Sequence, residues 1–158
     1  MKKIEFISPT ELVKSWEERT LDESEENDHI ILNRIKTPDG TILTSRHRHD
    51  YVTHEDANGL EYMVDGGFEY LRRNVHKDHP YEELSITTEA PFEQIRESLC
   101  WGTYGKNGDQ PIRYVQLNEM SNDHIKNILE RNFGAEWIQK IFKRELTYRK
   151  KRKIVIND

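Results

Sequence analysis

Short turn sequences separate β-rich segments in the first half of the chain, and they limit the folds available to it. Residues 29–36 (HIILNRIK) have strand composition, residues 37–40 (TPDG) form a turn, and residues 41–53 are expected to return as one long strand. Residues 56–59 (DANG) mark the next reversal, before a strand over residues 60–64. Because parallel strands need a crossover of roughly a dozen residues, links this short predict an antiparallel meander.

Further strand signals extend this meander. After a double glycine, residues 68–75 are either a fourth strand or a helical turn, and residues 81–87 are expected to add another strand. A separate hairpin is predicted where Asn107 and Gly108 provide a tight turn before a strand over residues 112–117.

Helical patterns occur at the start of the chain and again after residue 90. Ser8 caps a first helix, Pro91 begins a second, and Ser121 caps a third, which Gly134 ends. Residues 135–150 form the last helix, because their apolar residues recur at helical spacing. The sequence therefore predicts an α+β fold, in which an antiparallel β-meander sheet is combined with about four helices, two of them at the C-terminus.

Charge is distributed unevenly along the chain. Charged residues make up 34% of the sequence and hydrophobic residues another 34%, so we expect a modest core. Residues 17–28 hold seven carboxylates in twelve positions, and residues 143–153 hold seven Lys or Arg in eleven. We predict an N-terminal helix and acidic loop over residues 1–28, then a single α+β domain over residues 29–158 with a basic C-terminal end.

The cysteine content and the hydropathy pattern favour a cytoplasmic protein. Cys100 is the one cysteine of the sequence, which excludes an internal disulfide and suits a reducing cytosol. We expect it near the end of the second helix, where the helix dipole disfavours a thiolate. No run approaches the ~18 apolar residues of a membrane span, and the first residues lack the pattern of a signal peptide. No membrane partner is expected.

Residues 44–73 contain the polar groups that most suggest a binding site. They combine three histidines, four arginines, three tyrosines and three glycines, an unusual mixture for a core or a plain surface. Alternate side chains of an extended strand share a face. The two faces of the predicted strand would therefore carry different groups, His47, His49 and Tyr51 on one side and Arg46, Arg48, Asp50 and Val52 on the other.

Arginine forks and aromatic rings together favour a phosphate-bearing ligand, either a nucleotide or a single-stranded nucleic acid. The loop of residues 101–108 could cover such a ligand, with its glycines as flexible points. The predicted ligand-binding residues are Arg46, His47, Arg48, His49, Tyr51, Arg72, Arg73, Trp101 and Lys106. Further candidates, one with a guanidinium group and three with aromatic rings, are Arg113, Tyr62, Tyr70 and Tyr104. The alternative is that Arg72 and Arg73 pair at the surface with Glu61, Asp65 or Glu69.

Two imidazoles at positions i and i+2 of a strand can bind one metal ion, as in the HxH element of cupins. His47 and His49 have this spacing, but Gly40, Glu55 and Gly59 do not keep the cupin intervals. The other interpretation is that both histidines hydrogen-bond to neighbouring strands and tyrosines. We expect no metal and no other cofactor; if a metal binds, His47 and His49 would be its ligands.

Three segments of the chain resemble a family of short proteins encoded by tailed bacteriophages, including relatives of the T-even phages. They are ILNRIKTPDGTILTSRHRHDYVTHEDANGLEYMVDGGFEYLRR, PFEQIRESLCWGTYGKNGDQPIRYVQLNEMSNDHI and ELTYRKKRKIVI, and they include most of the sequence after residue 28. The resemblance implies a phage accessory protein that works in the cytoplasm of an infected bacterium. It implies no particular activity and no catalytic residues.

Three classes of function follow from these observations. The leading hypothesis is an accessory protein that binds a phosphate-bearing small molecule or nucleic acid without catalysis, and a nucleotide signal of host defence is its most specific version. The second is a metal-dependent enzyme that uses His47 and His49, assisted by Asp50, His54 or Glu55. The third is an interaction protein that inhibits a host bacterial protein through its acidic segment. A homo-oligomer is compatible with each.

Overall fold

The computed structural model describes the backbone of residues 5–7 and the whole of residues 29–158. The predicted N-terminal helix and most of the predicted acidic loop lie outside these residues. The chain divides into two compact units, Met1–Ser98 and Leu99–Asp158. That residues 29–158 form a single domain stays a prediction.

The first unit contains two antiparallel sheets. One sheet consists of β1 (Glu5–Ile7), β4 (Val52–Glu55), β5 (Glu61–Asp65) and β6 (Arg72–Val75), in the order β1-β6-β5-β4. The other consists of β2 (Ile30–Lys36), β3 (Ile42–Ser45) and β7 (Glu82–Glu83), in the order β3-β2-β7. The short strand β8 (Ile86–Thr87) pairs with another part of β2, and helix α1 (Phe92–Ser98) ends the unit. Apolar side chains of both sheets form a buried cluster of Ile35, Leu43, Leu60, Tyr62 and Val64.

The predicted hairpin before and after residues 56–59 is confirmed. Val52–Glu55 pairs antiparallel with Glu61–Asp65, from Val52 opposite Val64 to Glu55 opposite Glu61. The Asp56 carboxylate accepts hydrogen bonds from the backbone N–H groups of Asn58 and Leu60, each at 2.9 Å, which fixes the turn.

The expectation of one long strand over residues 41–53 is wrong. Residues 46–51 instead form a loop between β3 and β4. The Ser45 hydroxyl donates to the Asp50 carbonyl at 2.7 Å, and the Asp50 carboxylate accepts from the Arg46 N–H at 2.9 Å. Because these local side-chain bonds compete with a strand ladder, the backbone turns here.

Two other strand predictions are true only in part. Of residues 68–75, Arg72–Val75 alone form a strand, and residues 81–87 form two separate two-residue strands. Strand β1 is not among the predicted elements.

The second unit pairs a hairpin with two helices. Strands β9 (Cys100–Thr103) and β10 (Arg113–Gln116) are antiparallel, as predicted for the turn at Asn107 and Gly108. A 3-10 turn (Leu117–Glu119) leads to helix α2 (Asn122–Glu130) and then to helix α3 (Glu136–Arg152). The predicted cap of α2 is confirmed, since the Ser121 hydroxyl accepts from the His124 N–H at 3.0 Å.

The sequence predicted Cys100 near a helix end, and this prediction is wrong. Cys100 is the first residue of β9, where it is buried. Helix α1 ends at Ser98, and the second unit begins at the next residue, Leu99. The described residues contain three α-helices, two of them near the C-terminus, and none of these helices has both the length and the apolar character needed to cross a bilayer.

A buried ion pair connects the elements of the second unit. The Arg149 guanidinium donates to the Glu145 carboxylate at 2.6 Å, to the Asn122 side chain at 2.8 Å and to the Leu117 carbonyl at 2.9 Å. The side chains of Arg149 and Glu145 are 1% and 0% exposed. This arrangement fixes α3 against the start of α2.

Arg149→Met should lower the free energy of unfolding by about 3–5 kcal/mol, because it leaves the Glu145 charge buried without a partner. The double variant Glu145→Leu/Arg149→Met removes both charges and should recover most of that loss. Lys140→Met is the matched control, since Lys140 has the same spacing from Glu136 on α3 but the pair is exposed. The control should change stability by at most ~1 kcal/mol. Urea unfolding followed by circular dichroism measures all three, and equal losses in Arg149→Met and Lys140→Met would contradict the buried pair.

Candidate functional site

The polar loop of residues 46–51 is held against the turn that contains the double glycine. The Tyr70 hydroxyl donates to the Arg48 carbonyl at 2.8 Å, and the Gly67 N–H donates to the Ser45 hydroxyl at 3.0 Å. Gly67 has φ 53°, and a Cβ there would lie 2.7 Å from the His47 Cα. The close backbone approach requires glycine at this position. The loop is therefore an ordered feature of the first unit, although its side chains do not alternate as they would on a strand.

Two arginines near this loop each have a carboxylate partner at the side chain. Arg48 lies 3.8 Å from the Glu69 carboxylate, and Arg72 lies 3.5 Å from the Asp65 carboxylate. The alternative interpretation, surface pairing with acidic neighbours, therefore describes the contact of Arg72. Arg46 and Arg48 were expected to share a strand face, and that expectation is wrong because both belong to the loop.

Arg73 is a buried structural residue. Its side chain is 1% exposed and forms an ion pair with Glu83, while its Nε donates to the Asn33 side chain at 2.9 Å. Burial alone would lower the pKa of Arg73, but the hydrogen bond and the charge of Glu83 outweigh burial, and the pKa is raised. Burial alone would raise the pKa of Glu83, yet Arg73 holds it below its usual value. Each charge of the pair is satisfied by the other.

The histidines of the loop interact locally. The His49 N–H donates to His47 Nδ1 at 3.2 Å. One ring nitrogen of His47, a predicted metal ligand, therefore already accepts a hydrogen bond. Tyr51 is exposed, as are Arg46 and His49. Within the described part of the chain, no three His, Cys, Asp or Glu side chains converge as metal ligands. The loop therefore offers hydrogen-bonding groups at its surface.

A separate pair in the first unit joins His54 to the turn between β2 and β3. His54 Nε2 lies 2.8 Å from the Asp39 carboxylate, which also accepts a hydrogen bond from the Thr37 hydroxyl. The bond from Thr37, followed by the one from His54, holds the pKa of Asp39 well below its usual value. The carboxylate thus stays charged and fixes the turn to the adjacent strand β4.

The second unit contains a groove with a volume of about 710 Å³. One wall is the β9–β10 hairpin and the loop that joins its strands, and the other is one face of α2, where residues recur at spacings of three and four. Asp158 also borders it. The groove is lined by Thr103, Gly105, Lys106, Arg113, Asp123, His124, Lys126, Asn127, Glu130, Arg131 and Asp158.

Four cations of the groove differ from Arg48, Arg72 and Arg73 of the first unit, each of which contacts a carboxylate. They are Lys106, Arg113, Lys126 and Arg131, and among the described residues none of the four has a carboxylate within ion-pair distance. Three carboxylates also border the groove, so the lining is mixed in sign but has a surplus of positive charge. An anion could therefore bind without displacing an existing ion pair.

His124 lies on the α2 wall and is half-buried. Burial lowers its pKa, the charge of Asp158 partly raises it, and the charge of Arg113 lowers it further. The net effect is a lowered pKa, so the imidazole is favoured in its neutral form. A bound anion would shift the balance toward the protonated form.

The net charge of the two units has opposite sign. Residues 99–158 contain twelve Lys and Arg against seven Asp and Glu, which gives a formal charge of +5. Residues 1–98 contain twelve Lys and Arg against twenty-two Asp and Glu, which gives −10. The basic unit is the one that holds the groove.

The predicted site residues are divided between the units. Lys106 lines the groove, whereas the half-buried Trp101 packs its ring edge-on against the buried Phe142, with the ring centroids 5.2 Å apart. Arg113, one of the further candidates from the sequence, also lines the groove. Sequence reasoning missed His124, Lys126 and Arg131, although Lys126, Glu130 and Arg131 recur on one polar face of the predicted helix.

No protein-family model, curated protein or solved structure matches the chain. The chemistry of the groove is therefore inferred from its own residues.

His124 should make stability fall in acid. Its folded-state pKa is lowered, so the unfolded chain takes up a proton more readily, at a pKa of about 6.5. The folded state is thus favoured above that pH, and this contribution is lost as the pH falls below it. The urea midpoint of His124→Gln should accordingly drop less between neutral and mildly acidic pH than that of the wild type. His49→Gln, an exposed histidine of the first unit, is the control for loss of one imidazole. Identical pH profiles for wild type and His124→Gln would contradict this assignment.

Proposed function

We propose that this protein binds a phosphate-bearing ligand, without catalysis, in the groove of the second unit. One observation carries the proposal: the side chains of Lys106, Arg113, Lys126 and Arg131 border one groove and have no ion-pair partners among the described residues. A bound anion could therefore pair with these cations without displacing a carboxylate from any of them.

The types of side chain favour phosphate among anions. Arg113 and Arg131 have planar guanidinium groups that can donate two parallel hydrogen bonds to phosphate oxygens, and the two lysines add point charges. A volume of about 710 Å³ falls within the range of small-molecule sites. The groove is therefore large enough for a nucleotide and is equipped for its charged end.

Binding rather than catalysis is supported by what surrounds the histidine of the groove. His124 forms no side-chain hydrogen bond to a hydroxyl or thiol within the part of the chain that the structure describes. The Thr103 hydroxyl, which also lines the groove, instead accepts from the Gly105 N–H at 3.2 Å. An activated nucleophile would need a base within hydrogen-bond reach.

The resemblance to phage proteins suggests which ligand should be tested first. We propose a phage accessory role in which the ligand is a nucleotide, with a nucleotide signal of host defence as the most specific version. The arginines around residues 46–73 were the earlier candidates for this ligand, but three of them already contact carboxylates. The groove is the better site because it brings together four cations without a carboxylate partner among the described residues, whereas residues 46–73 leave only Arg46 without one.

Arg113→Ala and Arg131→Ala should each weaken binding of adenosine triphosphate or pyrophosphate by about tenfold or more, since each loses a charge-assisted hydrogen bond of roughly 1.5–3 kcal/mol. Asp158→Asn should strengthen binding, because it removes a carboxylate that borders the groove. Isothermal titration calorimetry against a nucleotide panel measures both effects.

Two control variants locate the site. Lys140→Ala removes an exposed cation of α3 that pairs with Glu136, and Arg48→Ala removes a cation of the loop in the first unit. Both should bind like the wild type. If Arg48→Ala weakens binding while the groove variants do not, the ligand binds at the loop and the proposal is wrong. If nothing on the panel binds to the wild type, the groove is not a nucleotide site and the nucleotide version of the proposal is wrong.

A further inference from the structure

We infer that the ligand of the groove is a single-stranded nucleic acid that lies along α2, with three or four nucleotides in contact. This inference rests on the proposed function, that the groove binds a phosphate-bearing ligand, and it assigns a strand of several nucleotides to the groove in place of a single nucleotide. It is based on the length of the groove, on the spread of its cations and on two exposed aromatic residues close in sequence to residues that line it.

The groove follows α2 from Asp123 to Arg131. Eight residues of helix rise about 12 Å. A stacked nucleic-acid strand advances about 3.4 Å per nucleotide. This wall therefore matches the length of three or four stacked nucleotides, which is more than a mononucleotide would use.

The cations are spread along the groove and do not surround a single point. Lys126 and Arg131 are separated by about 7.5 Å of rise on α2. Lys106 and Arg113 belong to the opposite wall, one in the loop after β9 and the other at the start of β10. Positive groups on two walls suit a sequence of phosphates better than one phosphate.

Two large aromatic side chains lie next to groove residues and are exposed. Tyr104, which stands between the lining residues Thr103 and Gly105, is 56% exposed. Phe133, two positions after Arg131, is 50% exposed. Neither ring lines the groove itself, but exposed rings this close in sequence to groove residues provide surfaces on which bases can stack, and stacking accepts any base.

The remaining charge of the second unit supports the same ligand class. The exposed basic residues at the end of α3 and just after it are Lys150, Lys151, Arg152 and Lys153. Together with the groove they give this unit its formal charge of +5. Such a surplus favours a polyanion, and the effect should weaken as salt rises.

The test is fluorescence anisotropy of the full chain with labelled oligothymidylates of two, four and eight nucleotides, at several salt concentrations. Affinity should increase from two to four nucleotides and change little beyond that. The logarithm of affinity should fall with the logarithm of salt with a slope of roughly −2 to −3, at about −0.7 for each phosphate neutralised. Lys126→Ala should make this slope shallower by about 0.7, the contribution of one neutralised phosphate.

Aromatic variants separate stacking from charge. Tyr104→Ala and Phe133→Ala should each weaken binding of the four-nucleotide strand by about fivefold or more and leave pyrophosphate binding unchanged. Tyr51→Ala is the matched control, because Tyr51 is a tyrosine of the first unit with a similar exposure of 58%. Tyr51→Ala should bind both ligands like the wild type.

The outcomes distinguish this inference from the function on which it rests. If pyrophosphate or adenosine triphosphate binds in the groove and oligothymidylates bind no more tightly, the inference is overturned and the proposed function stands. If duplex DNA binds more tightly than the single strand, or both aromatic variants bind the strand like the wild type, the inference is also overturned. If no phosphate-bearing probe binds, or if variants of the groove cations bind the probes like the wild type, both the inference and the proposed function are wrong.

Discussion

Buried arginine charges, each neutralised by a glutamate, organise both units of this protein. In the first unit Arg73 extends from β6 to Asn33 on β2 and Glu83 on β7, and so connects the two sheets. In the second unit Arg149 extends from α3 to the start of α2 and to the 3-10 turn. A charge cannot be buried without partners at a tolerable free energy, so these contacts constrain the elements that supply them.

This constraint also determines which cations can meet a ligand. Arg73 and Arg149 are fully engaged within the protein, and Arg48 and Arg72 have acidic neighbours at the surface. The groove cations differ because the carboxylates that border the same groove do not form ion pairs with them among the described residues. The cations that are left to meet an anion are therefore fewer than the cations in the sequence.

Local signals in the sequence were sufficient to predict many helices, strands and turns, but they were insufficient to predict the candidate site. The turn at residues 56–59, the Ser121 cap and the last helix depend on neighbouring residues, and each was predicted. The strand predicted over residues 41–53 failed because the side chains of Ser45 and Asp50 turn the backbone, which alternation of residue types does not reveal. Of the predicted ligand-binding residues, Lys106 borders the groove, whereas Arg73 and Trp101 are used in packing.

The sequence by itself determined the α+β composition, the antiparallel pairing across short turns and the concentration of positive charge near the C-terminus. These properties depend on local backbone preferences and on counts of residues, and both are visible along the chain. Only the tertiary structure decided which arginines are buried beside glutamates and which cations border a common groove. Burial and pairing depend on contacts between residues far apart in sequence, such as Arg73 with Asn33 and Arg149 with Asn122, and no local pattern encodes them.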